Sequence, residues 1–252
     1  MEAPEALRQL GLLAAIRPQL KNVIDSFIAK QTARGGQGAA GELLPVPPEA
    51  SMHVPQIMAI RLARAEGREP GDLASILEPI ANTREPIVVL APGSVWRTKQ
   101  WTKEGFIQAG RDLSKAKGAL TVIMGAKNEM ALCEEIAAAI PNSLSLAGRT
   151  SLKESAQLLA LADLLICNDS GAMHLGATAD VPIVTVFGPT VLEFGYRPWS
   201  NQAKVVQIPL ACRPCGKHGA MECPIGTHAC MRDIPIERVT QAALTLENNR
   251  GR

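Results

Sequence analysis

The stretch Leu164-Leu165-Ile166-Cys167-Asn168-Asp169-Ser170-Gly171-Ala172-Met173-His174 carries the fold in miniature. An apolar run without alternation gives way to Asn-Asp-Ser, residue types favoured at helix N-caps, and then to helical spacing. A strand that is apolar on both faces belongs to a parallel sheet covered by helices on both sides. The same pattern repeats outward. Towards the N-terminus it predicts strands over 87–91, 120–125 and 144–146, with helices over 103–116, 127–139 and 152–162. Towards the C-terminus it predicts a helix over 171–179, strands over 183–187 and 204–208, and a closing helix over 235–247. Repeated βα units predict an α/β chain with a Rossmann-like, doubly wound parallel sheet. Ligands of such sheets bind in the loops at the carboxyl ends of the strands.

Upstream of residue 85 the texture differs. Leu7, Leu10, Leu13, Ile16, Leu20, Ile24 and Ile28 follow helical spacing, which Pro18 interrupts. Residues 33–49 read as a loop or linker, and 50–66 as a second amphipathic helix, in which His53 is a surface or interface residue. The expected division is therefore a helical leader and linker over 1–84 and a ligand-binding domain over 85–252. The bulk composition bounds the function. Of 252 residues 46% are hydrophobic, which excludes a disordered chain. A net charge of +2 lacks the basic excess of a nucleic-acid binder. There is no apolar run of the roughly 18 residues a membrane helix needs, and no basic-then-apolar signal sequence, so the expected compartment is the cytoplasm.

Four strand-end loops carry the polar chemistry. The first, Ala91-Pro92-Gly93-Ser94-Val95-Trp96-Arg97-Thr98-Lys99-Gln100-Trp101, offers a glycine, hydroxyls, and the cations Arg97, Lys99 and nearby Lys103. Hydroxyls and an ammonium before a helix suit a phosphate. The second, Gly125-Ala126-Lys127-Asn128-Glu129, places Glu129 in a first helical turn. There it caps the helix or accepts hydroxyls of a ribose or hexose. The third is Asn168-Asp169-Ser170-Gly171, with His174 one turn further on the face of Ser170. The fourth is Phe187-Gly188-Pro189-Thr190, a turn followed by a hydroxyl.

Two attractive motifs fail on context. Gly36-Gln37-Gly38-Ala39-Ala40-Gly41 matches a dinucleotide fingerprint, but no strand precedes it and no helix follows. Ser170 and His174 are not a hydrolase pair. Asn168 stands where the nucleophile elbow needs glycine, and both side chains sit on one helix.

Together, Ala91-Pro92-Gly93-Ser94 with Lys99-Gln100-Trp101, then Asn168-Asp169-Ser170-Gly171-Ala172-Met173-His174, then Phe187-Gly188-Pro189-Thr190 resemble glycosyltransferase family nine, the heptosyltransferases of lipopolysaccharide core assembly. The resemblance runs over about 42–248. It implies that residues 85–252 are the donor-binding C-terminal half of a GT-B fold. It also implies transfer of a sugar, heptose from ADP-heptose, to a lipid-linked glycan acceptor, with no cofactor required. Lys99 and Ser94 would meet the diphosphate, and Glu129 sugar or ribose hydroxyls. Asp169, Ser170, Gly171, His174 and Thr190 would line the phosphates and the transferred sugar. The family opens with further βα units that carry its catalytic base, and residues 1–41 show no such segment. The alternative reading is thus a nucleotide-sugar-binding half, a remnant or one completed by a partner chain. A lipid acceptor would bring the chain to the inner membrane as a peripheral protein.

The tail Cys212-Arg213-Pro214-Cys215, Cys223 and Cys230 also resembles that of family members. Four thiolates, or His218 and His228 in place of some, would suit structural zinc or iron–sulfur; packed reduced thiols are the competing reading. Either way the tail is expected to lie beyond the ligand loops. Trp96, Trp101 and Trp199 are expected to pack around those loops, with stacking on a base or sugar as the alternative for Trp96.

Overall fold

The computed structural model describes residues 85–246, together with residues 80 and 83. The predicted leader helices, the linker, the glycine-rich motif and His53 lie outside the described residues. The described segment belongs to a compact unit that starts at Arg84.

Its centre is a six-stranded, wholly parallel sheet. The strands are β1 (Ile87–Ala91), β2 (Leu120–Ile123), β3 (Ser143–Ser145), β4 (Leu164–Asn168), β5 (Ile183–Val186) and β6 (Ala203–Val206). Their spatial order is β3-β2-β1-β4-β5-β6. The chain therefore walks outward from β1 to one edge, returns to pair β4 with β1, and walks to the other edge. The reversal falls between β1 and β4, with Ala91 beside Cys167 in the register. Loops that leave neighbouring strands in opposite directions open a crevice there, where doubly wound sheets bind ligands.

The helices are α1 (Lys103–Lys117), α2 (Met130–Ala139), α3 (Leu152–Leu161), α4 (Gly171–Thr178), the short α5 (Ala229–Arg232) and α6 (Ile236–Leu246). Local chemistry sets their ends. The Thr102 hydroxyl accepts the Gly105 N–H at 3.1 Å to start α1, which stops at left-handed Gly118. Ser151 and Glu154 form a reciprocal capping box at the start of α3. The central strands β1, β4 and β5 are buried along their whole length, as unalternating apolar runs require. Helix α6 packs on α1, β5 and β6, while α3 and α4 pack on each other. Gly176 lets α4 close onto β4, since a Cβ there would lie 2.5 Å from the Leu165 side chain.

Strand and helix positions follow the sequence expectation to within one to three residues. Two details differ. Glu129 ends a separate 3₁₀ turn (Lys127–Glu129) instead of opening α2, and α5 was not foreseen. No helix among the described residues is long and apolar enough to cross a membrane.

Candidate functional site

A buried polar trio sits at the reversal of the strand order. Lys99 closes a 3₁₀ turn (Arg97–Lys99) in the loop after β1 and is only 6% exposed. Its Nζ lies 2.6 Å from Oδ2 of Asp169, which follows β4 and is 4% exposed. The Thr190 hydroxyl, fully buried after β5, donates to the same Oδ2 at 2.6 Å. Three strand-end loops thus converge on one carboxylate. Removing a charged pair from water is costly, and it holds only where geometry and further hydrogen bonds compensate. Here the hydroxyl is the further donor.

Asn168, the last residue of β4, aligns the trio. Its Nδ2 donates to the Pro92 carbonyl at 2.7 Å, and its Oδ1 accepts the Trp101 N–H at 2.9 Å. One fully buried amide therefore clamps both ends of the loop that carries Ser94 and Lys99. Of the three cap-favouring residues Asn168, Asp169 and Ser170, it is Ser170 that stands at the N-cap of α4, and its hydroxyl makes no capping bond. Beside it, Gly171 opens α4 into free space, with nothing within 4 Å of a Cβ built there. The first turn of α4 carries N–H groups with no acceptor one turn back in the helix; that of Met173 donates to the Ser170 carbonyl at 3.1 Å.

Glu129 reaches in from the β2 side. Its Oε2 accepts the Ala126 N–H at 2.7 Å, and a Cβ on Gly93 would sit 1.9 Å from Oε1. The carboxylate therefore lies against the backbone of the β1 loop, at a spot only glycine leaves open. Ser94 is half-buried, and its carbonyl accepts the Gln100 side-chain N–H at 2.8 Å. His174 is half-buried on α4, and its carbonyl accepts the Thr178 hydroxyl at 3.0 Å. Lys103 is a correction. It turns away from the site into a surface ion pair with Glu135 at 2.8 Å.

The cysteine-bearing tail is a second correction, because it lies against the ligand loops instead of beyond them. Thr98 donates from Oγ1 to the Ala220 carbonyl at 2.5 Å and accepts the Ala220 N–H at 2.9 Å. His228 Nε2–H donates to the Thr98 carbonyl at 2.8 Å. Arg213 donates to the Thr190 carbonyl at 2.7 Å, and the Cys215 N–H to the Pro189 carbonyl at 2.8 Å. Both neighbours of Asp169, Lys99 and Thr190, are thus backed by the tail. Its loop also brings His218 over the site. The imidazole lies parallel to Trp96 at 6.2 Å between centroids, and its Nδ1 shares a 3.0 Å hydrogen bond with the Tyr196 hydroxyl. The Tyr196 ring centre lies 5.2 Å from Lys99 Nζ. Trp101 instead packs inside, edge-on to Phe106 at 5.2 Å, and Trp199 lies under Arg197. The sequence reading gave Arg213 and Tyr196 no part in the site, took Asn168 and Thr98 only as polar members of their loops, and took His218 and His228 only as alternative metal ligands; their actual partners lie far away in the chain.

The four tail thiols serve this packing. Among the described residues, no group of three or more His, Cys, Asp or Glu is placed to hold a metal ion. The zinc or iron–sulfur reading of Cys212, Cys215, Cys223 and Cys230 gains no support from this arrangement. Cys215 Sγ lies 3.4 Å from the Cys212 carbonyl, and Cys223 Sγ accepts the His228 N–H at 3.2 Å. Cys230 is buried, and a Cβ on Gly188 would lie 3.3 Å from its sulfur. Burial pushes the Cys230 thiol up to about 11, while the His228 N–H lowers that of Cys223.

A family model for glycosyltransferase family 9 (heptosyltransferase) matches residues 55–225. The chain belongs to glycosyltransferase family 9. Lipooligosaccharide heptosyltransferase 2 of Campylobacter jejuni is 36% identical over 177 residues, 68% of this chain and 54% of that protein. The chain spans about half the length of the curated relatives it matches. Among solved structures, a family 9 glycosyl transferase from Veillonella parvula matches with a TM-score of 0.63 at 22% identity, covering 90% of this chain and 60% of that one. E. coli ADP-heptose lps heptosyltransferase II matches with 0.59 at 21%, covering 84% and 55%. At these identities the structures show a shared fold. The segment matched to family 9 takes in the whole trio and the loop that carries His218.

Proposed function

We propose that residues 85–252 form the nucleotide-sugar-binding domain of a heptosyltransferase. The observation that carries this reading is the buried Lys99–Asp169–Thr190 trio, set beside the open N-terminus of α4. A diphosphate needs fixed positive charge and N–H donors in a crevice shielded from water, and this corner of the sheet supplies both. Lys99, kept in place by Asp169, meets the phosphate oxygens, with Ser94 and the backbone around Ser170 and Gly171 beside it. Glu129 accepts ribose hydroxyls, and His174 completes the α4 face. The likeness to Campylobacter jejuni lipooligosaccharide heptosyltransferase 2 supports heptose as the sugar and a lipopolysaccharide-type glycan as the acceptor. A solved relative was crystallised with ADP-D-beta-D-heptose, which supports ADP-heptose as the donor.

In the reaction, an acceptor hydroxyl oxygen attacks the anomeric carbon and the bond to the phosphate oxygen breaks. The electron pair leaves with the nucleoside diphosphate, and the hydroxyl proton passes to a base on the acceptor side. Lys99 and the α4 dipole stabilise the charge that develops on the leaving group. The tail thiols act in this reading as reduced packing groups and not as a cofactor site. A lipid-linked acceptor would place the work at the cytoplasmic face of the inner membrane.

Titration of the chain with ADP, UDP and ADP-heptose tests the proposal. Micromolar binding of ADP-heptose is expected, and Lys99→Ala and Asp169→Ala are each expected to weaken it by roughly tenfold or more, the scale of a lost charge-assisted hydrogen bond. A folded chain that binds no nucleotide would overturn the proposal. Binding without transfer to a heptose-accepting glycan would favour the alternative of a nucleotide-sugar-binding half.

A further inference from the structure

We propose that His218, Trp96 and Tyr196 form the shelf on which the transferred sugar ring rests. The inference deepens the donor-site reading above and rests on it. It starts from strand order. Glu129 follows β2, Lys99 follows β1, Asp169 follows β4, and Thr190 and Tyr196 follow β5. These loops therefore stand in a row along the carboxyl edge of the sheet. A nucleoside diphosphate sugar is linear: nucleoside, two phosphates, sugar. With its phosphates at Lys99 and the α4 N-terminus, and its ribose at Glu129 on the β2 side, its sugar must extend towards β5 and the tail.

The groups waiting there suit a sugar ring. Trp96 and His218 lie nearly parallel, 9° apart, and Tyr196 tilts against His218 at 5.6 Å. Aromatic faces carry partial negative charge and attract the polarised C–H groups of a pyranose. The imidazole of His218 is exposed, and its Nδ1 is engaged by the Tyr196 hydroxyl, which turns the ring and leaves Nε2 on the other side for a sugar hydroxyl. The Tyr196 ring also faces the Lys99 ammonium, so the shelf touches the phosphate-binding cation directly. The loop that carries His218 is anchored through the Ala220–Thr98 bonds, one residue from Lys99. Shelf and cation therefore move as one piece.

The test compares ADP with ADP-heptose by calorimetry on the whole chain. His218→Ala removes an exposed ring, and Trp96→Leu is a second, independent truncation of the shelf; thermal melts check that both variants fold. Each is expected to weaken ADP-heptose about five- to tenfold while leaving ADP binding within twofold. Equal losses for both ligands would put the shelf under the nucleotide and overturn the inference, as would no change in either. These results leave the donor site standing, which Lys99→Ala probes separately. A wild-type chain that binds neither ligand would overturn the donor-site reading and this inference together.

Discussion

At the scale of single residues, the site depends on which atoms are kept apart as much as on which meet. Gly93 is the sharpest case, because a methyl group there would occupy the space of the Glu129 carboxylate. Gly93→Ala is expected to fold and to weaken ADP-heptose binding as much as Glu129→Ala does. The double variant should be no worse than either single one, since all three remove the same contact; titration of the four proteins closes the cycle. Additive losses would show that Gly93 serves something other than Glu129. Lys99 illustrates the complementary point. Its place in a polar loop at a strand end was legible from the types of its neighbours. Its dependence on Asp169, 70 residues away, was not, because a contact between distant loops leaves no local pattern.

At the scale of elements, the loop after β1 is held by groups from two other regions. Asn168 fixes both of its ends, and His228 and Ala220 fix Thr98 in its middle. Asn168→Ala leaves the Trp101 N–H and the Pro92 carbonyl without this partner in a buried setting. It is expected to lower stability by about 1–3 kcal/mol in urea unfolding. It should also raise hydrogen exchange across residues 94–101 while β2 and β3 stay protected. Unchanged exchange in that loop would show that the tail alone holds it. The elements themselves were readable because their signals are local: apolar runs for strands, Thr102 and Ser151 for helix starts. The 3₁₀ turn before α2 displaced Glu129 from the expected first helical turn, because its side chain folds back onto the Ala126 N–H.

At the scale of the whole molecule, the six cysteines divide by environment. Burial pushes Cys133 up to about 12, Cys230 up to about 11, and Cys167 up as well; Cys223 is lowered by the His228 N–H. Alkylation at pH 7–8 is expected to modify Cys223 first and to spare Cys133, Cys167 and Cys230 until the chain unfolds, as read by mass spectrometry. Early modification of Cys230 would contradict the packed tail. The same shifts set a pH dependence. Thiols raised in the folded state hold protons that the unfolded chain releases near the ordinary value of 9.0. Their contribution to stability is therefore complete below about pH 9 and falls as the pH rises towards 11–12. Urea unfolding at pH 8, 9.5 and 10.5 should show stability falling steadily.

By itself the sequence determined the α/β class, the parallel strands, and the loops that carry Ser94, Lys99, Glu129, Asp169 and Thr190. Each of these follows from residues within one turn or one strand of each other, where apolar periodicity and capping chemistry act. The path of the whole chain set the pairing of β1 with β4, the clamp made by Asn168, and the return of the tail onto the strand-end loops. Spacing alone could not say whether four cysteines converge on a metal or pack around Arg213, since both outcomes fit the same intervals. The deciding contacts, from Thr98 to Ala220 and His228 and from Arg213 to Thr190, join residues 23 to 130 positions apart. Contacts that long are made by the path of the whole chain, and no local run of residues encodes them.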